Sequence, residues 1–311
     1  MDFTIKKKGH LSPIVLGATL LLFRVVAAQQ FADPEFNTSV AHPAYTKSLP
    51  RVLFDEAHNN FHTTSGLYKP FTDLVANDGY QVVANRKPFT REALATFKVL
   101  VIANAVGAEE MDDEGADRPA FTDQECDAVR DWVHNGGALL LIADHAPFGA
   151  AAESLAQRFG VEMGKGFTFD SENSERGSPT FLNYSRENHL LVDHPITLGR
   201  NDSEKVNSVR TFTGQSLKGP DGSVAFLKLA DTARDKPTID TDKETSAAHR
   251  AQGLALKFGK GRAIVLGEAA MLSAQLTGPD KQAFGMNLPG IDNKQLALNI
   301  MHWLSGLLKE R

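Results

Sequence analysis

The chain has 311 residues with one cysteine, 33 basic and 38 acidic side chains and a formal charge of −5. A single cysteine excludes an intramolecular disulfide, and the mildly acidic balance gives no support for nucleic-acid binding, which needs Lys and Arg clustered on one face. The length suits one large α/β domain with an elaborated second half.

Residues 1–28 open with Lys6, Lys7 and Lys8, continue through an apolar run over 13–23, and end on the small residues Val26, Ala27 and Ala28. This is the pattern of an export signal cleaved before Gln29. The run is shorter than the roughly 20 residues a comfortable membrane span needs, although Arg24 after it keeps an uncleaved anchor as the alternative. The expectation is a periplasmic or extracellular protein with no membrane span after cleavage. Losing Lys6, Lys7, Lys8, Arg24 and Asp2 takes the formal charge from −5 to −8. Residues 29–50 are polar and punctuated by proline and read as a surface arm. Asn37-Thr38-Ser39 is a glycosylation sequon only in a eukaryotic host.

The fold begins with a strand at 51–55, followed by a polar loop that carries His58 and His62. Pro70 suits the first turn of a helix with Phe71, Leu74 and Val75 inward, stopped by Asn77-Asp78-Gly79. A strand at 80–84, a short helix from Thr90 and a buried strand at 98–103 come next, then an acidic loop at 109–117. Thr122 and Glu125 have capping-box spacing and start a helix that runs to Asn135-Gly136-Gly137. Its inward face holds Cys126, Val129 and Val133, which makes Cys126 a small core hydrophobe and not a nucleophile.

Residues 138–143 show no polar alternation, the mark of a central strand buried on both faces. It ends at Asp144 and His145, and Pro147 keeps Ala146 out of helical geometry before the next helix. Ligands of open α/β sheets gather at the carboxyl ends of strands, so this elbow is where a site is expected. The plainer reading is an Asp-His pair that satisfies backbone groups in a tight turn. Strand and helix have alternated four times, which predicts an α/β fold with a doubly wound, mostly parallel sheet and helices on both faces.

Residues 161–250 form an elaborated region with short strands at 209–213 and 224–229 and polar loops at 170–173 and 189–194 that are candidates for ligand contacts. A late hairpin pairs 253–258 with 262–267 and ends at Glu268. After a glycine- and proline-rich loop at 278–290, Asp292 and Gln295 start a helix with Leu296, Ile300, Trp303, Leu304 and Leu307 inward, closing a single domain over 51–308.

The segments WVHNGGALLLIADHAP at 132–147, HPITLG at 194–199 and FGKGRAIVLGEAA at 258–270 occur in an order that resembles the class I glutamine-amidotransferase-like superfamily of flavodoxin-type folds, and within it ThuA-type trehalose-utilisation proteins and related exported domains. The resemblance implies that fold and carbohydrate-related ligands. It also implies a nucleophilic cysteine at the elbow, where this chain has Ala143-Asp144-His145. Without Cys or Ser there, a glutaminase working through an acyl-enzyme is not expected, and fold alone licenses no activity.

What remains is a rim of ionisable residues after three strands: His58 and His62, Asp144 and His145, and Glu268. Asp144, His145 and Glu268 are the candidate acid–base residues. His58, His62 and Asp144 are the candidate ligands of a divalent metal such as zinc, whose bound water would be the nucleophile. Two functions fit: an exported hydrolase or sugar isomerase acting on a small polar or carbohydrate-related substrate, or a noncatalytic domain that holds such a ligand, or a partner's loop, in the same cleft.

Overall fold

The computed structural model describes residues 30–309, so the export signal expected over 1–28 lies outside the described residues. The first half contains β1 (Gln30–Ala32), β2 (Arg51–Asp55), α1 (Lys69–Asn77), β3 (Gln81–Asn85), α2 (Arg91–Leu94), β4 (Val99–Ala103), α3 (Asp123–His134), β5 (Ala138–Ile142) and α4 (Phe148–Gln157). The second begins with β6 (Glu162–Met163), β7 (Phe167–Phe169), β8 (Ser174–Glu175), β9 (Ser178–Ser185), α5 (Pro195–Leu198), β10 (Ser208–Arg210) and β11 (Leu217–Lys218). It continues with β12 (Val224–Lys228), β13 (Arg234–Lys236), β14 (Thr245–Ser246), β15 (Ala251–Phe258), β16 (Gly261–Leu266), β17 (Ala274–Thr277), β18 (Gln282–Gly285) and α6 (Asn293–Ser305).

Nine strands form the main sheet in the order β3-β2-β4-β5-β16-β15-β11-β6, with β12 paired to β15. From β3 to β16 neighbouring strands are parallel. The β15–β16 hairpin then reverses direction, and its far side is antiparallel. The sheet is therefore mixed where a mostly parallel one was expected. The hairpin itself forms as read, with Phe258 opposite Gly261.

Successive side chains of a strand face opposite ways, and this divides the core. Leu139 and Leu141 of β5 join an apolar cluster with Cys126, Val129 and Val133 of α3 and Leu155 of α4. Leu140 and Ile142 join another with Phe71 and Leu74 of α1 and Leu296, Ile300 and Trp303 of α6. Each such side chain, fully buried, contributes about 1.5–3 kcal/mol, which explains why β4 and β5 carry no polar residue.

The capping box of α3 is present: Thr122 Oγ1 accepts from the Glu125 N–H at 3.3 Å, and Glu125 Oε2 accepts from the Thr122 N–H at 3.0 Å. The one expected at Asp292 is absent, because Asp292 Oδ2 accepts instead from the N–H groups of Asn207 and Ser208. Helix α6 stops at Gly306, in the left-handed region with φ 87, so Leu307 lies beyond it.

The second half adds three small sheets. The expected surface arm is in part a strand, β1, which pairs with β17, and β17 pairs with β18 inside what was read as a loop. Among the described residues no helix is long and apolar enough to cross a membrane.

Candidate functional site

The elbow after β5 is fixed by residues distant in sequence. The Ala143 N–H still pairs with Leu266 of β16, at 3.0 Å. The Asp144 N–H donates to Asn104 Oδ1 at 3.0 Å, and Asn104 itself holds φ 52, a conformation asparagine tolerates better than most residues. Gln215, fully buried, donates from Nε2 to the carbonyls of Ala143 (2.8 Å) and Asp144 (2.9 Å) and accepts the Lys165 N–H on Oε1 at 2.7 Å. Asp144 Oδ1 in turn accepts the His145 N–H at 2.8 Å.

The His145 ring stacks on Phe167, with centroids 4.7 Å apart. Its Nδ1 lies 2.7 Å from the Ala146 carbonyl, an acceptor, so the proton is on Nδ1. That fixes the tautomer and leaves Nε2 with the lone pair in the neutral ring.

A cavity of about 1020 Å³ opens over the elbow, with His62, Asn104, Asp144 and His145 on one side. The opposite side comes from the second half, with Phe181, Arg210, Gln275 and Phe284 among its residues. These the sequence reading missed, although 178–185 carries the mixed polar and aromatic pattern of a half-buried strand. Arg210 is tied to Glu175 and to Asn183 Oδ1, the latter at 2.8 Å. The loops at 170–173 and 189–194, expected to touch ligand, instead serve the backbone. Asp170 accepts the N–H groups of Glu172 and Asn173, and His194 Nδ1 accepts that of Ile196 at the start of α5.

His62 is buried, stacks on Tyr68 at 4.5 Å and has no hydrogen-bond partner for Nδ1. Burial pushes its pKa down to about 3, so it is neutral near neutrality. Burial raises the Asp144 carboxyl, against the opposing pull of His145 and of hydrogen bonds from His145, Ala269 and Asn104.

Glu268 lies beside Asp144: the register that pairs Leu266 with Ile142, continued by two residues, brings them to the ends of neighbouring parallel strands. It is fully buried and is not among the residues lining the cavity. Its oxygens accept the Ala270 N–H at 2.7 Å and the Met271 N–H at 2.8 Å. Burial, then the negative charge of Asp144, pushes its pKa well up. Gly214 makes room for this packing, since a Cβ there would stand 2.7 Å from that of Glu268. Tyr68 completes the group by donating its hydroxyl to the Ala269 carbonyl at 2.6 Å.

His58 sits elsewhere. Its Nδ1 is 2.8 Å from Asp55 Oδ2, its Nε2 is 2.9 Å from Glu125 Oε1, and Phe89 and Phe121 flank the ring, each at 4.7 Å. Burial opposes its charge, but the hydrogen bonds and charges of Asp55 and Glu125 outweigh it and raise the pKa. Both nitrogens are thus committed to carboxylates. The expected metal set of His58, His62 and Asp144 is not assembled: His58 packs with the rings beside α3, whereas His62 packs on Tyr68 beside α1. Among the described residues no group of three or more His, Cys, Asp or Glu has the arrangement to hold a metal ion, so the zinc expectation finds no ligand set here. Cys126 is buried with Sγ 3.6 Å from Ser154 Oγ, and burial raises its thiol pKa.

No protein-family model and no curated protein sequence matches the chain. Among solved structures it is similar to the mmIFT52 N-terminal domain, at a TM-score of 0.55 and 16% identity over 82% of this chain and 97% of that one. A GMP synthase protein from Thermoplasma acidophilum aligns at a TM-score of 0.43 and 11% identity, over 83% of this chain and 95% of that one. A ThuA-like protein from Bacteroides uniformis aligns at 0.41 and 12%, over 88% and 95%. At 16% identity the first likeness is one of fold alone. Fold and site together define a mixed α/β protein with a cavity at the carboxyl ends of its parallel strands.

Proposed function

We propose that the cavity binds a small polar, carbohydrate-related ligand and that His145, assisted by Asp144, performs acid–base chemistry on it. The observation that carries this reading is the hydrogen bond from His145 Nδ1 to the Ala146 carbonyl, which presents Nε2 as the basic nitrogen of a residue lining the cavity. A histidine held in one tautomer takes a proton at Nε2 and returns it without reorienting, and the adjacent Asp144 charge favours the imidazolium formed in between. A hydrolase would use this to activate water, and a sugar isomerase to move a proton between ligand atoms. With Ala143-Asp144-His145 at the elbow, no acyl-enzyme step is part of the proposal. Export is part of it, supported by the basic, apolar and small-residue order of 1–28; sequencing the exported protein should find Gln29 first.

The second reading, a noncatalytic binding domain, draws its support from Glu268, whose carboxylate is tied to backbone N–H groups and does not line the cavity. Incubating the protein with aldoses, ketoses and glycosides, followed by NMR, separates the two. Conversion that falls by about 10²–10⁴-fold in His145→Gln, with binding retained, establishes the enzyme. A ligand that binds and is recovered unchanged establishes the binding domain. Neither binding nor conversion across the panel rejects both.

A further inference from the structure

Two aromatic walls line the cavity. On the elbow side the rings run in a chain: Phe61 meets Phe148 at 5.9 Å, Phe148 meets His145 at 6.0 Å, and His145 stacks on Phe167. On the other side Phe181, Phe212 and Phe284 touch one another at centroid distances of 4.4–5.7 Å. All seven rings belong to residues lining the same cavity.

The rim is apolar as well. Four large hydrophobic side chains are exposed among the described residues, and two of them, Phe61 (41%) and Ile239 (50%), line this cavity. Scattered exposed hydrophobics need no explanation, but hydrophobics continuous with an apolar-walled cavity mark a binding surface. The charged lining does not favour an anionic ligand, because Arg210 is already paired with Glu175 and the other charged residues there, Asp112 and Asp144, are acidic.

We infer that the ligand carries an aryl portion that lies between the two aromatic walls and reaches the Phe61 and Ile239 rim, while its polar head meets Asp144, His62 and His145. This rests on the reading of the cavity given above for the placement of the head. Aromatic rings stack or meet edge-on and gain beyond simple area burial, and a mostly apolar pocket with a few convergent polar groups is the general design of small-molecule sites.

The test is fluorescence titration with N-phenyl-1-naphthylamine, an uncharged aryl probe. Saturable binding of one probe per chain is expected. Phe61→Ser and Ile239→Ser should each weaken it by about ten-fold, the loss expected when one apolar contact surface is removed. Both positions are exposed, so folding should survive, which the melting temperature checks. Leu49→Ser, at an equally exposed apolar residue that does not line the cavity, should leave the affinity unchanged. No saturable binding, rim variants without effect, or equal weakening by Leu49→Ser would each overturn the inference. Failure of the polyol panel with the probe still bound would reject the polar-head reading and leave the aryl site standing.

Discussion

His58 and His62 are four residues apart and have opposite electrostatic environments. His58 is held charged between Asp55 and Glu125, so the stability it contributes is present below its ordinary pKa of 6.5 and is lost as pH rises through the raised value. His62 is held neutral by burial, with a folded pKa of about 3 against an ordinary 6.5. The unfolded chain therefore binds more protons between those values, and the His62 contribution is complete above 6.5 and lost as pH falls toward 3. By about pH 5 the loss amounts to about 2 kcal/mol. His62→Phe keeps an aromatic ring on Tyr68 and removes the unpartnered nitrogen. Urea unfolding at a series of pH values should show the variant losing less stability than the wild type on acidification, and parallel curves would refute the assignment. Nothing in the spacing of the two histidines separates them, because what distinguishes them is the set of rings and carboxylates each meets in the fold.

At the level of elements, the strands and helices that build the site were readable from local pattern. The unbroken apolar runs of β4 and β5, the Thr122–Glu125 box and the glycine turn of the hairpin each specify local geometry with few outside contributions. The elbow is different. Its backbone is held by Gln215 and Asn104, separated from it by 71 and 40 residues, and no local pattern announces either. Gln215→Leu would leave the Ala143 and Asp144 carbonyls and the Lys165 N–H buried without their partner. At about 1–3 kcal/mol for each unsatisfied group, the variant should lose about 3 kcal/mol or more in urea unfolding, and a change below about 0.5 kcal/mol would show that the elbow holds itself. Glu268 teaches the same lesson. It stands at a strand end as read, yet the close approach of Gly214 and the turn at 269–271 enclose it.

For the whole molecule, stability should concentrate where the sheet is covered on both faces. Amide hydrogen exchange followed by mass spectrometry should be slowest in β4, β5 and β16, whose strand residues are almost all buried, and much faster in β8 and β14, two-residue strands of the small outer sheets. Uniform protection across both halves would contradict this picture.

The parallel strands, the helices that cover them and the position of Asp144 and His145 at a strand end are all written in local pattern, because hydrophobic periodicity, caps and turn residues act within a few residues of one another. Other features arise when distant segments meet: the sheet turns antiparallel beyond β16, His58 and His62 part company, Glu268 is enclosed, and Phe181, Phe212 and Phe284 form the far wall. Burial and hydrogen-bond satisfaction at those places are set by whichever surfaces come together, and no window of neighbouring residues encodes that choice.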